Sequence, residues 1–218
     1  MKIGLIGDKL SLEEIQAKFD GHEIAFIKIE EIPALQESLD FVFHFTFEEN
    51  PDDLELISRC PGPVFFLNTV KTSLAEVSFL HGELNDNVFG FNGLPGFLDR
   101  PLLEVTSMGS PDGLLDNLVK INFEYQLVSD RVGMVTPRII CMIINEAFYT
   151  FQEGTASKED INLGMKLGTN YPYGPFEWLE IIGIQEVYEL LEALYDDTKD
   201  SRYKVCPLLK RDYLLAKN

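Results

Sequence analysis

The sequence predicts a parallel-sheet α/β domain followed by an all-α domain. Three observations predict this. Short apolar runs bounded by turn residues recur as far as Val128, which is how buried strands read. Helical periodicity takes over after Asp130. The first run, Lys2–Ile6, closes on Gly7 and is followed by a helical stretch and a second apolar run, a βαβ opening. Residues 1–129 are therefore assigned to the sheet domain and 130–218 to the helical one.

With 218 residues, 45% of them hydrophobic, the chain has enough apolar material for a real core. Its net charge of −18 argues against nucleic acid and anionic membranes as partners. Lys199, Arg202, Lys204, Lys210 and Arg211 are spread among acids and form no basic patch. Cys60, Cys141 and Cys206 fit no metal-ligand spacing, so no metal is expected. Cys141 lies in an apolar helical run and reads as a small buried hydrophobe. No run is long enough to span a membrane. Asp8 interrupts the first apolar run before a signal sequence could form, so the expected setting is reducing and cytoplasmic.

In chain order, Ser11–Phe19 reads as a helix entered through a capping box, Ser11-Leu12-Glu13-Glu14. Glu23–Ile29 is the second strand. Asp40–Phe47 is the third, after a short crossover over Glu31–Leu39. Asn50–Arg59 is helical, Val64–Leu67 a strand, Ser73–Phe79 a helix and Asn87–Phe91 a strand. Pro101–Val105 is the sixth strand, Asp112–Val119 a helix and Lys120–Val128 the last strand. His44, among aromatics in mid-strand, reads as a core histidine. Asp130–Gly133 is the hinge. A long helix then starts with Thr136 as cap and Pro137 at the first helical position, with an apolar face of Ile139, Ile140, Ile143, Ile144 and Ala147. Ser157 caps the next helix, with acid at Asp160 and a C-cap at Gly168. A turn, Asn170–Pro175, leads to the apolar run from Phe176 to Ile182, and Val187–Tyr195 is a further helix.

The stretch from Glu153 to Glu177 carries more than helix signals. Glu153-Gly154, Ala156-Ser157, Glu159-Asp160-Ile161, Met165-Lys166-Leu167-Gly168, Asn170-Tyr171-Pro172 and Gly174-Pro175-Phe176-Glu177 closely resemble the C-terminal domain of the 3-hydroxyacyl-CoA dehydrogenase family. The likeness is strong from Arg131 to Gly183 and co-linear but weaker before it. It implies a shortened Rossmann-like domain followed by a helical domain that usually forms the family's dimer. It also implies NAD as cofactor and a 3-hydroxyacyl-CoA substrate in fatty acid metabolism. The helical hairpin and strand pair that the family carries between the second and third strands, part of its CoA site, are missing here.

The positions that would carry the chemistry have changed together. Of the G-x-G-x-x-G fingerprint only Gly7 remains, with Lys9 and Leu12 at the other two glycine positions. Side chains there fill space a pyrophosphate needs. Asp8, Glu13 and Glu14 add like charge, at roughly 1–4 kcal/mol per close contact. Lys28 stands where the ribose-binding acid would be and reads as a surface lysine. After the fourth strand, Asn68-Thr69 is kept as a candidate substrate contact, but Val70 and Lys71 replace the family's serine pair. Glu104 matches the Glu that orients the family's catalytic His, and the register puts Asn92 where that His would stand. An amide has no basic nitrogen to take a proton. Glu104 is thus either a solvated strand-end acid or a retained orienting group. Pro137 stands where the family has a substrate-binding Asn.

Three readings follow. The first is a relative without dehydrogenase activity, kept as a binding or assembly protein, with no cofactor. The second is a working NAD-dependent dehydrogenase with unusual site residues. The third is an acyl-CoA-binding subunit that pairs with an active homologue. The joint loss of the site positions favours the first and third, and a homodimer through residues 130–218 is expected.

Overall fold

The computed structural model describes residues 1–19, 21–109, 118 and 123–217. The chain forms two compact units, Met1–Met134 and Val135–Asn218. The first contains β1 (Lys2–Ile6), α1 (Lys9–Lys18), β2 (Glu23–Phe26), a 3-10 turn at Ile29–Glu31 leading into α2 (Ile32–Leu35), and β3 (Phe41–His44). A second 3-10 turn, Pro51–Asp53, leads into α3 (Leu54–Ile57), followed by β4 (Val64–Asn68), α4 (Leu74–His81), β5 (Val88–Phe91), β6 (Leu102–Thr106) and β7 (Glu124–Leu127). Most of the expected helix Asp112–Val119 falls outside the described residues; Leu118, which is described, is helical and buried.

The seven strands form one Rossmann-like sheet in the order β2-β1-β3-β4-β5-β6-β7. Strand order reverses at β1, so the switch point lies between β1 and β3. Pairing is parallel except between β5 and β6, where Phe91 faces Val105 in antiparallel register. The reason is local: the connection from β5 to β6 contains no crossover helix, and a parallel return needs one. Only α2 and its 3-10 turn lie between β2 and β3, which agrees with the missing hairpin.

Successive residues of the central strands serve opposite faces of the sheet. Phe41, Phe43 and Phe66 pack on one face with Ile15 and Phe19 of α1. Val42, Phe65 and Leu67 pack on the other with Ile32 and Leu54. Burial on both faces is why these strands are unbroken apolar runs. Phe43 stacks on Phe66 at 4.8 Å between ring centroids. Asp130 closes the unit: its carboxylate accepts the amides of Leu74 (2.8 Å) and Ala75 (2.9 Å) in the first turn of α4.

The second unit contains α5 (Thr136–Gln152), α6 (Lys158–Thr169), α7 (Pro175–Ile182), α8 (Ile184–Thr198), a 3-10 turn (Ser201–Tyr203) and α9 (Pro207–Ala216). Val135, not Thr136, caps α5, and Pro137 still falls in the first turn, where its missing N–H costs nothing. Of the expected apolar face, Ile140, Ile144 and Ala147 are buried with Cys141 and Phe148, whereas Ile139 is exposed and Ile143 half-buried. Ser157 caps α6 as expected, its Oγ accepting the Asp160 amide at 3.1 Å. The C-cap is not Gly168 but Asn170, two residues later, in the left-handed region at φ 58°, a conformation asparagine tolerates better than most residues. Asn145 of α5 holds the chain before α9: its Nδ2 donates to the Lys204 carbonyl (3.0 Å) and its Oδ1 accepts the Cys206 amide (2.8 Å). Trp178 is buried, with the Tyr173 ring edge-on at 4.9 Å. No helix among the described residues is long and apolar enough to cross a membrane.

Candidate functional site

The carboxyl ends of β1, β3, β4 and β5 bring the expected site residues together. Gly7 leaves β1 directly beneath Phe45, the first residue after β3. A Cβ on Gly7 would lie 2.9 Å from the Phe45 Cβ. The ring of Phe45 in turn meets Phe91 edge-on at 5.3 Å, and both rings are buried. Doubly wound sheets bind dinucleotides in the crevice at this switch point. Here Gly7 admits a phenyl group of the chain itself.

The start of α1 is also taken. Asp8, not Ser11, is the N-cap, so the helix begins two residues earlier than the sequence suggested. Its Oδ1 accepts the Ser11 amide at 2.9 Å and the Ser11 hydroxyl at 3.0 Å. A carboxylate thus sits on the helix amides that would otherwise favour a phosphate. Lys9 is exposed and faces Glu13 of its own helix at 3.6 Å. The Leu12 side chain lies outside the described residues. Lys28 is exposed, as read from the sequence, and its amide donates to Glu31 at 2.7 Å.

Asn68, the last residue of β4, joins the neighbouring strand exits. Its Nδ2 donates to the Phe45 carbonyl (3.1 Å) and its Oδ1 accepts the Gly93 amide (3.0 Å). The whole amide is used on backbone. Gly93 is required for this approach, because a Cβ there would lie 3.0 Å from the Asn68 Cγ. Val70 is fully buried, and the Lys71 amide donates to Glu48.

Asn92 and Glu104 are direct neighbours across the β5–β6 ladder. The Asn92 amide donates to the Glu104 carbonyl at 3.1 Å, and the Asn92 Oδ1 accepts the Leu94 amide at 3.3 Å. The two residues are thus backbone neighbours, while the Asn92 side chain is engaged by its own turn. Glu104 is not a solvated strand-end acid: it is 8% exposed, and Asn92 is 3% exposed.

Sequence reasoning missed what holds the loop after β5. Glu14 accepts the Gly96 amide through both oxygens, at 3.1 and 3.2 Å. One turn along α1, the Lys18 ammonium donates to the carbonyls of Leu98 (2.7 Å) and Arg100. Desolvation raises the Glu14 pKa above its ordinary value, against the Gly96 hydrogen bond, with Asp99 and Asp8 adding to the rise. Desolvation likewise lowers that of Lys18, with Asp99 opposing. From the sequence the two look like an ordinary i,i+4 surface pair; in the fold each reaches the loop instead. Leu94, Phe97 and Leu98 of that loop are buried.

His44 is a core histidine as read. It is fully buried, its Nε2 lies 2.8 Å from the Asp53 carboxylate, and Phe47 meets it edge-on. Burial pushes its pKa below the ordinary value, with Asp53 opposing. Among the described residues no group of three or more His, Cys, Asp or Glu side chains is placed to hold a metal.

Residues 133–217 match the family model for the 3-hydroxyacyl-CoA dehydrogenase C-terminal domain. The chain is 44% identical over 88 residues to a 3-hydroxyadipyl-CoA dehydrogenase of Escherichia coli, covering 40% of this chain and 18% of that one. It is 34% identical over 149 residues to a 3-hydroxybutyryl-CoA dehydrogenase of Clostridioides difficile, covering 66% and 53%. These matches thus span from under a fifth to about half of the relatives' length. The structure of (S)-3-hydroxybutyryl-CoA dehydrogenase from Ralstonia eutropha superposes with a TM-score of 0.75 over 99% of this chain and 94% of that one, at 19% identity, which shows a shared fold. Residues 133–217 are thus a 3-hydroxyacyl-CoA dehydrogenase C-terminal domain, and the chain shares the fold of a 3-hydroxybutyryl-CoA dehydrogenase along nearly its whole length.

Proposed function

We propose that this chain is a family member without NAD-dependent dehydrogenase activity, kept as a binding or assembly protein, and that it acts as a homodimer through its helical unit. The observation that carries the first part is the Phe45 side chain seated on Gly7 at the switch point. A dinucleotide does not fit the residues present. Its pyrophosphate would meet the Asp8 carboxylate on α1, and the loop after β5 is tied down by Glu14 and Lys18. At the position aligned with the family's catalytic His, Asn92 offers no base, so the buried Glu104 has no imidazole to orient.

The assembly reading rests on where likeness to the relatives is retained. Identity reaches 44% in an 88-residue match, and the family model covers residues 133–217, whereas the altered positions all lie before residue 105 except Pro137. The same contrast favours a second reading, a subunit that pairs with an active homologue and holds an acyl-CoA. Calorimetry with NAD, NADP, CoA and an acyl-CoA, together with an assay of NADH formation from a 3-hydroxyacyl-CoA, tests both. The first reading expects no heat with NAD and no NADH. Micromolar NAD binding or turnover overturns it, and CoA or acyl-CoA binding without turnover selects the second.

A further inference from the structure

Along one side of α5 the helical unit is hollow. The hollow has a volume of about 440 Å³. Its floor is apolar: Ile139 is exposed there, and Met142 and Ile143 are half-buried. One end is built from donors. Tyr203 is 5% exposed, and its hydroxyl oxygen accepts from the Arg138 Nη1 at 3.3 Å. A guanidinium cannot accept in return, and among the described residues the Tyr203 hydroxyl donates to no protein group. The Arg138 and Arg202 guanidiniums lie 5.8 and 5.4 Å from the centre of the same ring. Asp200 holds Arg202 in place, accepting from Nε at 2.8 Å and Nη2 at 2.7 Å. Two cations and a phenolic O–H thus converge in a chain whose net charge is −18. Like charges this close repel. An anion between them offsets that repulsion and gives the Tyr203 proton an acceptor.

The other end is acidic. Glu146 lines the hollow eight residues beyond Arg138 on the same helix, about 12 Å along the axis at about 1.5 Å per residue. Past it a second apolar groove of about 310 Å³ runs over Ala147 of α5 against Ile161 and Met165 of α6. Ile143 and Glu146 line both, so hollow and groove form one lane. The order along it is cationic donors, apolar floor, carboxylate, apolar floor. A ligand matched to that order has one anionic head and an apolar tail. A carboxylate head fits the guanidinium fork in shape and hydrogen-bond geometry. The tail has to be uncharged, because a second carboxylate at its far end would meet Glu146. Each methylene moved from water onto the apolar floor tightens binding, by roughly fourfold when fully buried. A neutral alcohol of the same length gains the floor but not the charged head contacts.

Deepening the binding reading above, and resting on it, we propose that this lane binds an aliphatic monocarboxylic acid. Its carboxylate sits among Arg138, Arg202 and Tyr203, and its tail lies along α5 past Met142. Calorimetry on the full chain with hexanoate, octanoate and decanoate, each below its micelle concentration, should show a single site. Affinity should rise with length by roughly two- to fourfold per methylene. Decanol and decanedioate should each bind at least tenfold more weakly than decanoate. Glu146→Gln should bring decanedioate close to decanoate. Tyr203→Phe keeps the ring and should weaken decanoate roughly tenfold, with a melting temperature close to wild type. Met142→Trp fills the lane and should abolish binding. Decanoate binding that survives both Tyr203→Phe and Met142→Trp would overturn the site. So would no binding by wild type, as when a second copy or a peptide covers the hollow. Decanoyl-CoA carries a thioester in place of the carboxylate. If it binds and decanoate does not, the acyl-CoA reading stands and this site falls. NAD binding or NADH formation would end the reading of lost dehydrogenase chemistry and leave the decanoate result untouched.

Discussion

Glu14 grips the Gly96 amide with both carboxylate oxygens, across 82 residues of sequence. The contact ties α1, whose N-terminus would face a pyrophosphate in a nucleotide-binding relative, to the loop that follows Asn92. Lys18, one turn further along the same helix, holds the Leu98 and Arg100 carbonyls of that loop as well.

That contact predicts a pH dependence. The pKa of Glu14 is raised above its ordinary value near 4.5, so the native state holds its proton more tightly than the unfolded chain does. The group's contribution to stability is then greatest below 4.5 and is lost as pH rises through the folded-state pKa. Glu14→Gln keeps an acceptor for Gly96 and removes the titration. Urea titrations at a series of pH values should show wild type losing stability relative to Glu14→Gln as pH rises from about 4.5. Parallel curves would mean that the carboxylate is solvated.

His44 predicts a loss in the opposite direction. Its folded-state pKa is depressed by burial, so the unfolded chain takes up the proton first. Stability is fully present above the unfolded value of about 6.5 and declines as pH falls from there toward the folded value. His44→Phe should flatten this part of the curve. A wild-type curve that rises on acidification through the same range would contradict the burial argument.

Phe45→Ala removes the ring that lies over Gly7. Truncating a buried phenylalanine costs about 3–5 kcal/mol, which denaturant unfolding will report as a lower midpoint. Asp8 still occupies the first amides of α1 in this variant, so NAD should give no calorimetric signal. Saturable NAD binding by Phe45→Ala would show that the ring alone closes the crevice.

Asn92→His supplies an imidazole opposite Glu104 and should not produce NADH from a 3-hydroxyacyl-CoA. A positioned base is worth roughly 10²–10⁴-fold, but only when a cofactor is held beside it. Phe45 and Asp8 are unchanged in this variant. Measurable turnover by the single variant would place the fault at Asn92 alone and refute the account of the crevice.

Asn68→Ala would strand two buried backbone groups, the Phe45 carbonyl and the Gly93 amide. Each is worth roughly 1–3 kcal/mol when left unsatisfied. A melting temperature within a degree of wild type would mean that solvent reaches both.

The central strands β3, β4 and β5 were legible because each is a short, largely apolar run buried throughout. Phe41, Val42 and Phe43 are apolar whichever face they serve, so no knowledge of partners was needed. The neighbourhood of Asn92 and Glu104 was legible too, since spacing along two adjacent strands becomes register across them. The polar side chains were not. Asp8 and Ser11 are both good caps, and which of them starts α1 depends on where β1 lets the chain turn. Glu14 and Lys18 satisfy a helix-surface pattern, and nothing in that pattern says a loop from beyond β5 will lie across it. Glu104 reads from the sequence as a strand-end acid, where acids are commonly wet, but it stands in mid-β6 and is buried there. Periodicity reports which face of an element is apolar. What covers the polar face is decided by distant chain.

Trp178 is the chain's single tryptophan, and it is buried in the helical unit with Tyr173 against it. Its emission is therefore a private signal from Val135–Asn218, whereas far-ultraviolet ellipticity sums the helices of both units. Followed together through a urea gradient, the two readings measure cooperativity across residue 134. Coincident curves mean that sheet and helices melt as one body, and separated curves give each unit its own free energy without cutting the chain.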